Sequence, residues 1–263
     1  MLRRLVVDAH VHLHAVFDTS AFLTGAVANV RRAGPDAMGV LLLAESRGEG
    51  AMARLGDLQG REGEWDAEPT HEPGSLVIRR GGNPVLVAVA GRQVVTAEGV
   101  EVLALMHPGE VREGDSLAGT LANIRRAGAL PVLPWGFGKW TGQRGALVRD
   151  ALHAQEGVIF LGDNGGRPEA LPEPSLLAEA RRLGVPVLPG SDPLPLRDHE
   201  RRAASFGFQA DVALDLDSMV AGVRAWLLAT GTRPTVIGQR ESPARFAWNQ
   251  VRMQWRKRVT ARV

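Results

Sequence analysis

The sequence predicts an α/β fold with its strands in a parallel sheet or barrel, and three observations carry that prediction. Short apolar runs recur along the chain, each closed by a polar or glycine-containing turn. Segments with apolar residues at helical spacing lie between them. The 263 residues, 44% hydrophobic and 23% charged, suffice to bury a sizeable core in one large domain or two small ones.

The predicted strands are LVVDAH from Leu5, GVLLLAE from Gly39, VEVLALM from Val100, LPVLPWG from Leu130, GVIFLGD from Gly157 and VPVLPGSD from Val185, with DVALD from Asp211 the weakest. Predicted helices run from Thr19 to Ala33, Ser116 to Ala127, Arg144 to His153, Ser175 to Leu183 and Ser218 to Ala229. The rhythm breaks at residues 60–73, polar and rich in Gly and Glu, which read as a surface loop. After it, SLVIRRGGNPVLVAVAGRQVV from Ser75 reads as a hairpin turning at Gly81-Gly82-Asn83-Pro84. Residues 60–97 are thus expected as an insertion or edge. Residues 243–258 form a basic helix with Phe246, Trp248, Val251 and Trp255 available for burial. It reads as a closing helix packed on the body, or else as a contact for a membrane surface or an acidic partner.

Net charge is only +2, from 31 Lys+Arg against 29 Asp+Glu, although the pI is about 9.8. The chain lacks Cys and Tyr, and Lys139 and Lys257 are its only lysines. Almost nothing therefore titrates between the histidines and the guanidinium groups, and the high pI reflects a flat titration curve. On that ground nucleic acid is not expected as the main partner, and a small anionic molecule is. Absence of Cys excludes disulfides, thiolate metal sites and a cysteine nucleophile. Asp8 and three histidines interrupt the first apolar run, so it is not a signal peptide, and no run is long enough to span a membrane. A cytoplasmic protein is the default expectation. No pattern reports oligomeric state.

Strict alternation along Val7-Asp8-Ala9-His10-Val11-His12 puts Asp8, His10 and His12 on one face of a strand. Two imidazoles so placed can reach one cation, with Asp8 as a further ligand or as an orienting partner; a buried structural pair of histidines is the alternative. Asp192, closing the run Pro189-Gly190-Ser191-Asp192, would face the same end of a barrel. Glu45, His107, Asp163 and Asn164 also fall at strand ends. In Pro134 to Gly145, the backbone amides, Lys139 and Arg144 either converge on an anion or belong to a packed aromatic loop.

These residues resemble the PHP (polymerase and histidinol phosphatase) domain. The likeness rests on Asp8-Ala9-His10-Val11-His12, the strand from Gly39 to Glu45, Ala90-Gly91-Arg92-Gln93 ahead of Gly99 to Leu105, Ala127 to Trp135, and Gly190-Ser191-Asp192. The amidohydrolase superfamily is similar at both ends. The resemblance implies one domain over residues 1–263, a distorted (β/α)7 TIM-like barrel with a hairpin insertion and a C-terminal helix. It also implies metal-dependent hydrolysis of phosphate esters. His10, His12 and Asp192 stand at ligand positions, with Glu45 and His107 as possible additions. Elsewhere the chain departs from the family: Ser46 follows Glu45 where a histidine is usual, Gln93 replaces a bridging glutamate, Trp135 replaces a histidine, and Pro193-Leu194 follows Asp192.

Fewer than three zinc, manganese or iron ions are therefore expected. Water activated by the metal would attack the ester, with Asp8, Glu45 or Asp192 as base and Lys139 or Arg144 stabilising the oxyanion. Two further readings are open: a catalytically degenerate module that binds a ligand or partner, and an amidohydrolase-like C–N hydrolase that uses Lys139.

Overall fold

The computed structural model describes residues 2–154, 156–213, 215–229 and 231–260. Its elements are β1 (Leu2–Val11), α1 (Thr19–Ala33), β2 (Met38–Leu43), α2 (Ala51–Gly56), β3 (Trp65–Pro69), β4 (Ser75–Arg80), β5 (Asn83–Val89), β6 (Gly91–Val95), β7 (Glu101–Leu105), α3 (Leu117–Arg126), β8 (Leu130–Pro134), α4 (Gly142–Ala154), β9 (Phe160–Asn164), α5 (Ser175–Arg182), β10 (Val187–Gly190), β11 (Phe206–Ala213), α6 (Met219–Leu228), β12 (Thr235–Gly238) and α7 (Pro243–Thr260). The fold is mixed α/β with two sheets. One runs β12-β11-β1-β2-β5-β4-β3 and the other β10-β9-β8-β7-β6.

The inner faces of both sheets share one core, which includes Val7, Val40, Leu103, Val132, Phe160, Leu188 and Phe208, with α6 adding Met219, Val223 and Leu227. Behind the first sheet, α1 buries Phe22, Leu23, Ala26, Val27 and Val30. Asp18 caps that helix by accepting from the Ala21 N–H at 2.8 Å. Helices α3, α4 and α5 cover the second sheet.

Among the described residues the sheets do not join into one continuous ladder. They meet at two seams, each containing a glycine. At one seam the Asp192 N–H donates to the His10 carbonyl at 2.9 Å, and a Cβ on Gly190 would lie 2.4 Å from that of His10. At the other, Glu45 bonds β6 through both backbone groups: its N–H donates to the Gly91 carbonyl at 3.1 Å, and its carbonyl accepts from the Gln93 N–H at 2.9 Å. A Cβ on Gly91 would lie 2.3 Å from the Leu43 carbonyl oxygen. Only glycine permits backbones to approach this closely.

The alternation of strands and helices is as expected, but the sheets are not wholly parallel. β1–β2, β2–β5, β8–β9 and β9–β10 are parallel, while β11, β12 and β7 run against their neighbours. Residues 60–73, read as loop, contain β3, whose Trp65 and Ala67 point into the core on alternate positions. The expected hairpin is β4–β5, and its second arm continues past Ala90 as β6 in the other sheet.

Two expectations are corrected. A bulge between Asp8 and Val11 breaks the alternation in β1. Leu5, Val7 and Ala9 face the shared core, whereas Val6, Val11 and Leu13 face α1, so Asp8 lies on the Val6 side of the strand and not with the histidines. The basic helix is also held differently from the apolar packing expected. Trp248, Val251 and Trp255 are 60–70% exposed. Asn249, buried, donates to Glu241 at 2.9 Å, Arg252 pairs with Asp198 at 2.8 Å, and Phe246 meets the Phe137 ring edge-on at 5.0 Å. No helix in the described residues is long and apolar enough to cross a membrane.

Candidate metal centre

His10 and His12, at the end of β1, turn their Nε2 atoms toward each other at 3.1 Å. Asp192, just past β10, brings Oδ1 to 3.6 Å from the first and 3.7 Å from the second. Ligands around a tetrahedral ion at Zn–N and Zn–O distances of about 2.0–2.1 Å stand about 3.3–3.4 Å apart. The three atoms therefore match one first-row cation. Gln93 Oε1, 3.1 Å from His10 Nε2, is a neutral fourth oxygen. Asn164 donates to the other Asp192 oxygen, and Asp192 itself has φ of 43°, a left-handed backbone unusual for a non-glycine residue.

Behind His12 stands Glu49, set between Gly48 and Gly50, whose φ values of 82° and 60° turn the loop back toward β1. Its Oε2 is 3.3 Å from His12 Nδ1 and accepts from the Ser46 N–H at 2.8 Å. With the Nδ1 proton directed at Glu49, the lone pair of His12 is at Nε2, pointing toward Asp192. His14 donates Nε2–H to the Pro193 carbonyl at 2.8 Å and meets Glu49 Oε1 through Nδ1 at 2.5 Å. Both its nitrogens thus face acceptors. Glu49 thereby ties His12 to the residue that follows Asp192.

Electrostatics favour positive charge at this point. Burial opposes ionisation of Asp192, but His10, His12, Lys139 and the Asn164 bond outweigh it and hold the carboxyl below its usual range. Burial lowers His10 despite Asp192. For His12 burial acts the same way, but the Glu49 bond and the charges of Asp192 and Glu49 raise it overall. Burial likewise opposes Glu49, whose bonds to His12 and His14 still depress its carboxyl strongly.

The structure brings His10, His12 and Asp192 together; the remaining residues singled out in the sequence lie elsewhere or are engaged. Asp8 is fully enclosed and accepts from His10 N, Ser191 N, Ser191 Oγ and Ala204 N at 2.5–3.2 Å; burial pushes its pKa up to about 6. Glu45 bonds Arg92 and the Met52 N–H, both at 2.6 Å. His107 lies against Gly109, outside the cluster. Lys139 pairs with Glu101, and Arg144 folds back onto the Gly138 carbonyl at 3.1 Å. Asp163 is clamped by Arg167 at 2.9 and 3.0 Å and by Arg240 at 2.6 Å. The sequence pattern singled out neither Glu49 nor His14; the Gly48-Glu49-Gly50 spacing was the available signal for the first. Beside Gln93 opens a cavity of about 590 Å³ lined in part by Arg47, Arg92 and Arg112.

No protein-family model matches the sequence, and no curated protein matches it. Among solved structures the chain is similar to PsfC from Pseudomonas syringae PB-5123, at a TM-score of 0.61 and 16% identity over 96% of this chain and 98% of that one. It is also similar to the lesion-specific endonuclease PfuEndoQ from Pyrococcus furiosus, at 0.52 and 12% over 90% of this chain. This chain spans 58% of the PfuEndoQ chain. At these identities the likeness is one of fold. It nonetheless corrects the expectation that nucleic acid is not the main partner, because a protein with this fold is an endonuclease. Net charge was the wrong criterion: a total of +2 does not report how the arginines are distributed.

Proposed function

We propose that this chain is a metal-dependent hydrolase of the phosphoesterase or nuclease kind. A zinc, manganese or iron ion would be held by His10, His12 and Asp192, with Gln93 beside them. The observation that carries this reading is the His12 geometry: Glu49 takes the Nδ1 proton, which leaves a lone pair facing a second imidazole and a carboxylate at ligand spacing. One carboxylate and two imidazoles leave a divalent ion with excess positive charge, suited to an anionic substrate. They supply too little negative charge for a cluster of three.

The frame we infer is a single domain with the distorted (β/α)7 TIM-like barrel of PHP domains. In ring order it would be β1, β2, β6, β7, β8, β9 and β10, and the two glycine seams support closure of that ring. His10, His12, Asn164 and Asp192 all sit at C-terminal strand ends, where barrels gather their chemistry.

When bound, the cation supplies Lewis-acid activation of water and of the phosphoryl oxygen. Arg92 is paired with Glu45 at 2.6 Å and Glu110 at 3.1 Å, so of the arginines on the neighbouring cavity Arg47 and Arg112 are the ones that offer guanidinium groups for the ester's remaining oxygens, and planar bidentate donors suit phosphate. Lys139 is neutralised by Glu101 and so contributes through its field, including at Asp192. Asp8 and Glu45 already accept hydrogen bonds from protein donors, which leaves Asp192 as the acid facing the site. Metal analysis of purified protein, with hydrolysis of bis(p-nitrophenyl) phosphate before and after chelation, tests the reading. A metal-loaded protein that cleaves the ester, with both properties lost in His12→Ala, is expected. Protein that takes up no first-row metal overturns it.

A further inference from the structure

A second cavity, of about 700 Å³, lies beside the start of β11 and the end of β12 and is lined by Arg32, Arg201, Arg202, Arg240 and Arg245, with Asp198 and Glu241 as its acids. Its two acids are already engaged. Glu241 accepts from Arg202 at 2.7 Å and from Asn249 at 2.9 Å, and Asp198 accepts from Arg252 at 2.8 Å. Arg202 and Arg240 are thus paired, with Glu241 and Asp163, whereas Arg32, Arg201 and Arg245 have no carboxylate within 3.5 Å among the described residues. Among the described residues Arg32 bonds the neutral Asn29 side chain alone, at 2.7 Å, and Arg240 shares the carboxylate of Asp163 with Arg167. Arg245 comes no closer than 3.6 Å to Glu241. Arg202 Nε, Arg240 Nε and Ser205 Oγ are buried without any acceptor among the described residues. Those three atoms are closed off from solvent and lie out of a ligand's reach; the excess of arginines over acids around the cavity is what suits it to a ligand rich in acceptors.

We propose that this cavity is an anion site that takes a phosphate group. Five arginines line a space large enough for a phosphate and the group that bears it, and guanidinium geometry matches phosphate oxygens. The site is separate from the metal centre, but Arg240 links the two. Its guanidinium holds Asp163, and the neighbouring Asn164 holds Asp192. The phosphate can arrive free or as part of a nucleic-acid backbone; both present the same oxygens.

The test uses full-length protein treated with chelator, so that phosphate cannot bind through a metal. Titration calorimetry measures inorganic phosphate, and separately a short single-stranded DNA, at ionic strength fixed with chloride. Arg201→Gln removes an exposed charge and Arg245→Gln one whose contact with Glu241 is no closer than 3.6 Å, and thermal unfolding in chloride verifies that both variants fold. Saturable phosphate binding, weakened about tenfold by each variant and retained in His12→Ala, is expected. If the DNA displaces phosphate, the backbone is the source; if it does not, the site takes free phosphate. Absence of binding by wild-type protein, or equal affinity in the arginine variants, overturns the proposal. Either result leaves the metal-centre reading untouched, because no metal takes part.

Discussion

Four buried or half-buried acids stand at or near C-terminal strand ends, and they fall into two kinds. Asp8, Glu45 and Asp163 have their oxygens taken up by protein donors: backbone N–H groups and a serine hydroxyl for Asp8, an arginine and an N–H for Glu45, two arginines for Asp163. Asp192 is bonded through one oxygen only, by Asn164, and turns the other toward two imidazoles. Burial and strand-end position are common to all four. What separates a ligand from a structural acid is whether its charge is already satisfied within the chain.

The largest effects should divide along that line. Asp192→Asn keeps the shape but removes the charge, so metal content should collapse and ester hydrolysis fall by at least about a thousandfold, the loss of several kcal/mol of stabilisation. Chemical unfolding should move little. Asp163→Ala should do the opposite. Removing the carboxylate strands the buried Arg167 and leaves Arg240 unpaired, costing about 3–5 kcal/mol in a denaturant titration while the metal is retained. Loss of metal without loss of stability in the Asp163 variant would erase the distinction.

Glu49 lies between the two kinds, since it is satisfied by His12, His14 and the Ser46 N–H yet acts on a ligand. Glu49→Gln should weaken metal binding by about 10–100-fold, the usual range for a residue that orients a ligating histidine. Competition with a chromophoric chelator measures this directly. An unchanged affinity would make Glu49 a structural residue only.

His199 and Asp8 give opposite pH signatures. Burial, with Arg202 nearby, lowers the His199 pKa from 6.5 to about 4. Its stabilising contribution is complete above pH 6.5 and is lost as pH falls toward 4, because the unfolded chain takes up the proton first. Asp8, raised from 3.8 to about 6, contributes most below 3.8 and loses that contribution as pH rises toward 6. Comparing wild type with His199→Asn, whose side chain can still accept from the Leu194 N–H, isolates the first effect. The wild-type protein should lose about 1–2 kcal/mol relative to the variant between pH 6.5 and 4.5. A constant difference across that range would contradict the assignment.

Much of the architecture could be read from periodicity: α1 has the predicted bounds, and β1, β2, β7, β8, β9 and β10 fall on the predicted apolar runs. Strand direction was not readable, because the apolar run from Val100 looks the same whichever way β7 crosses the sheet. The bulge after Asp8 was also hidden. It arises from the fit between β1 and β2, and it moves Asp8 away from the histidines that strict alternation had grouped with it. His10, His12 and Asp192 were found because their residue types and strand-end positions suffice. Glu49 was not, since it lies in a loop whose direction depends on two left-handed glycines.

The smallest expected effect concerns α7, where the sequence suggested apolar docking and the structure shows polar docking. Trp248 and Trp255 are 61% and 70% exposed, so Trp248→Ser or Trp255→Ser should change stability by less than about 0.5 kcal/mol. Asn249→Ala, a much smaller change in apolar area, removes a bond to the buried Glu241 and should cost about 1–2 kcal/mol. Denaturant midpoints for the three variants decide the matter. If the tryptophan variants lose more than the asparagine variant, the helix is held by its aromatic face in solution. If the order is as stated, the amphipathic pattern of residues 243–258 records an exposed surface, and the helix is anchored by the residues that the pattern treats as polar.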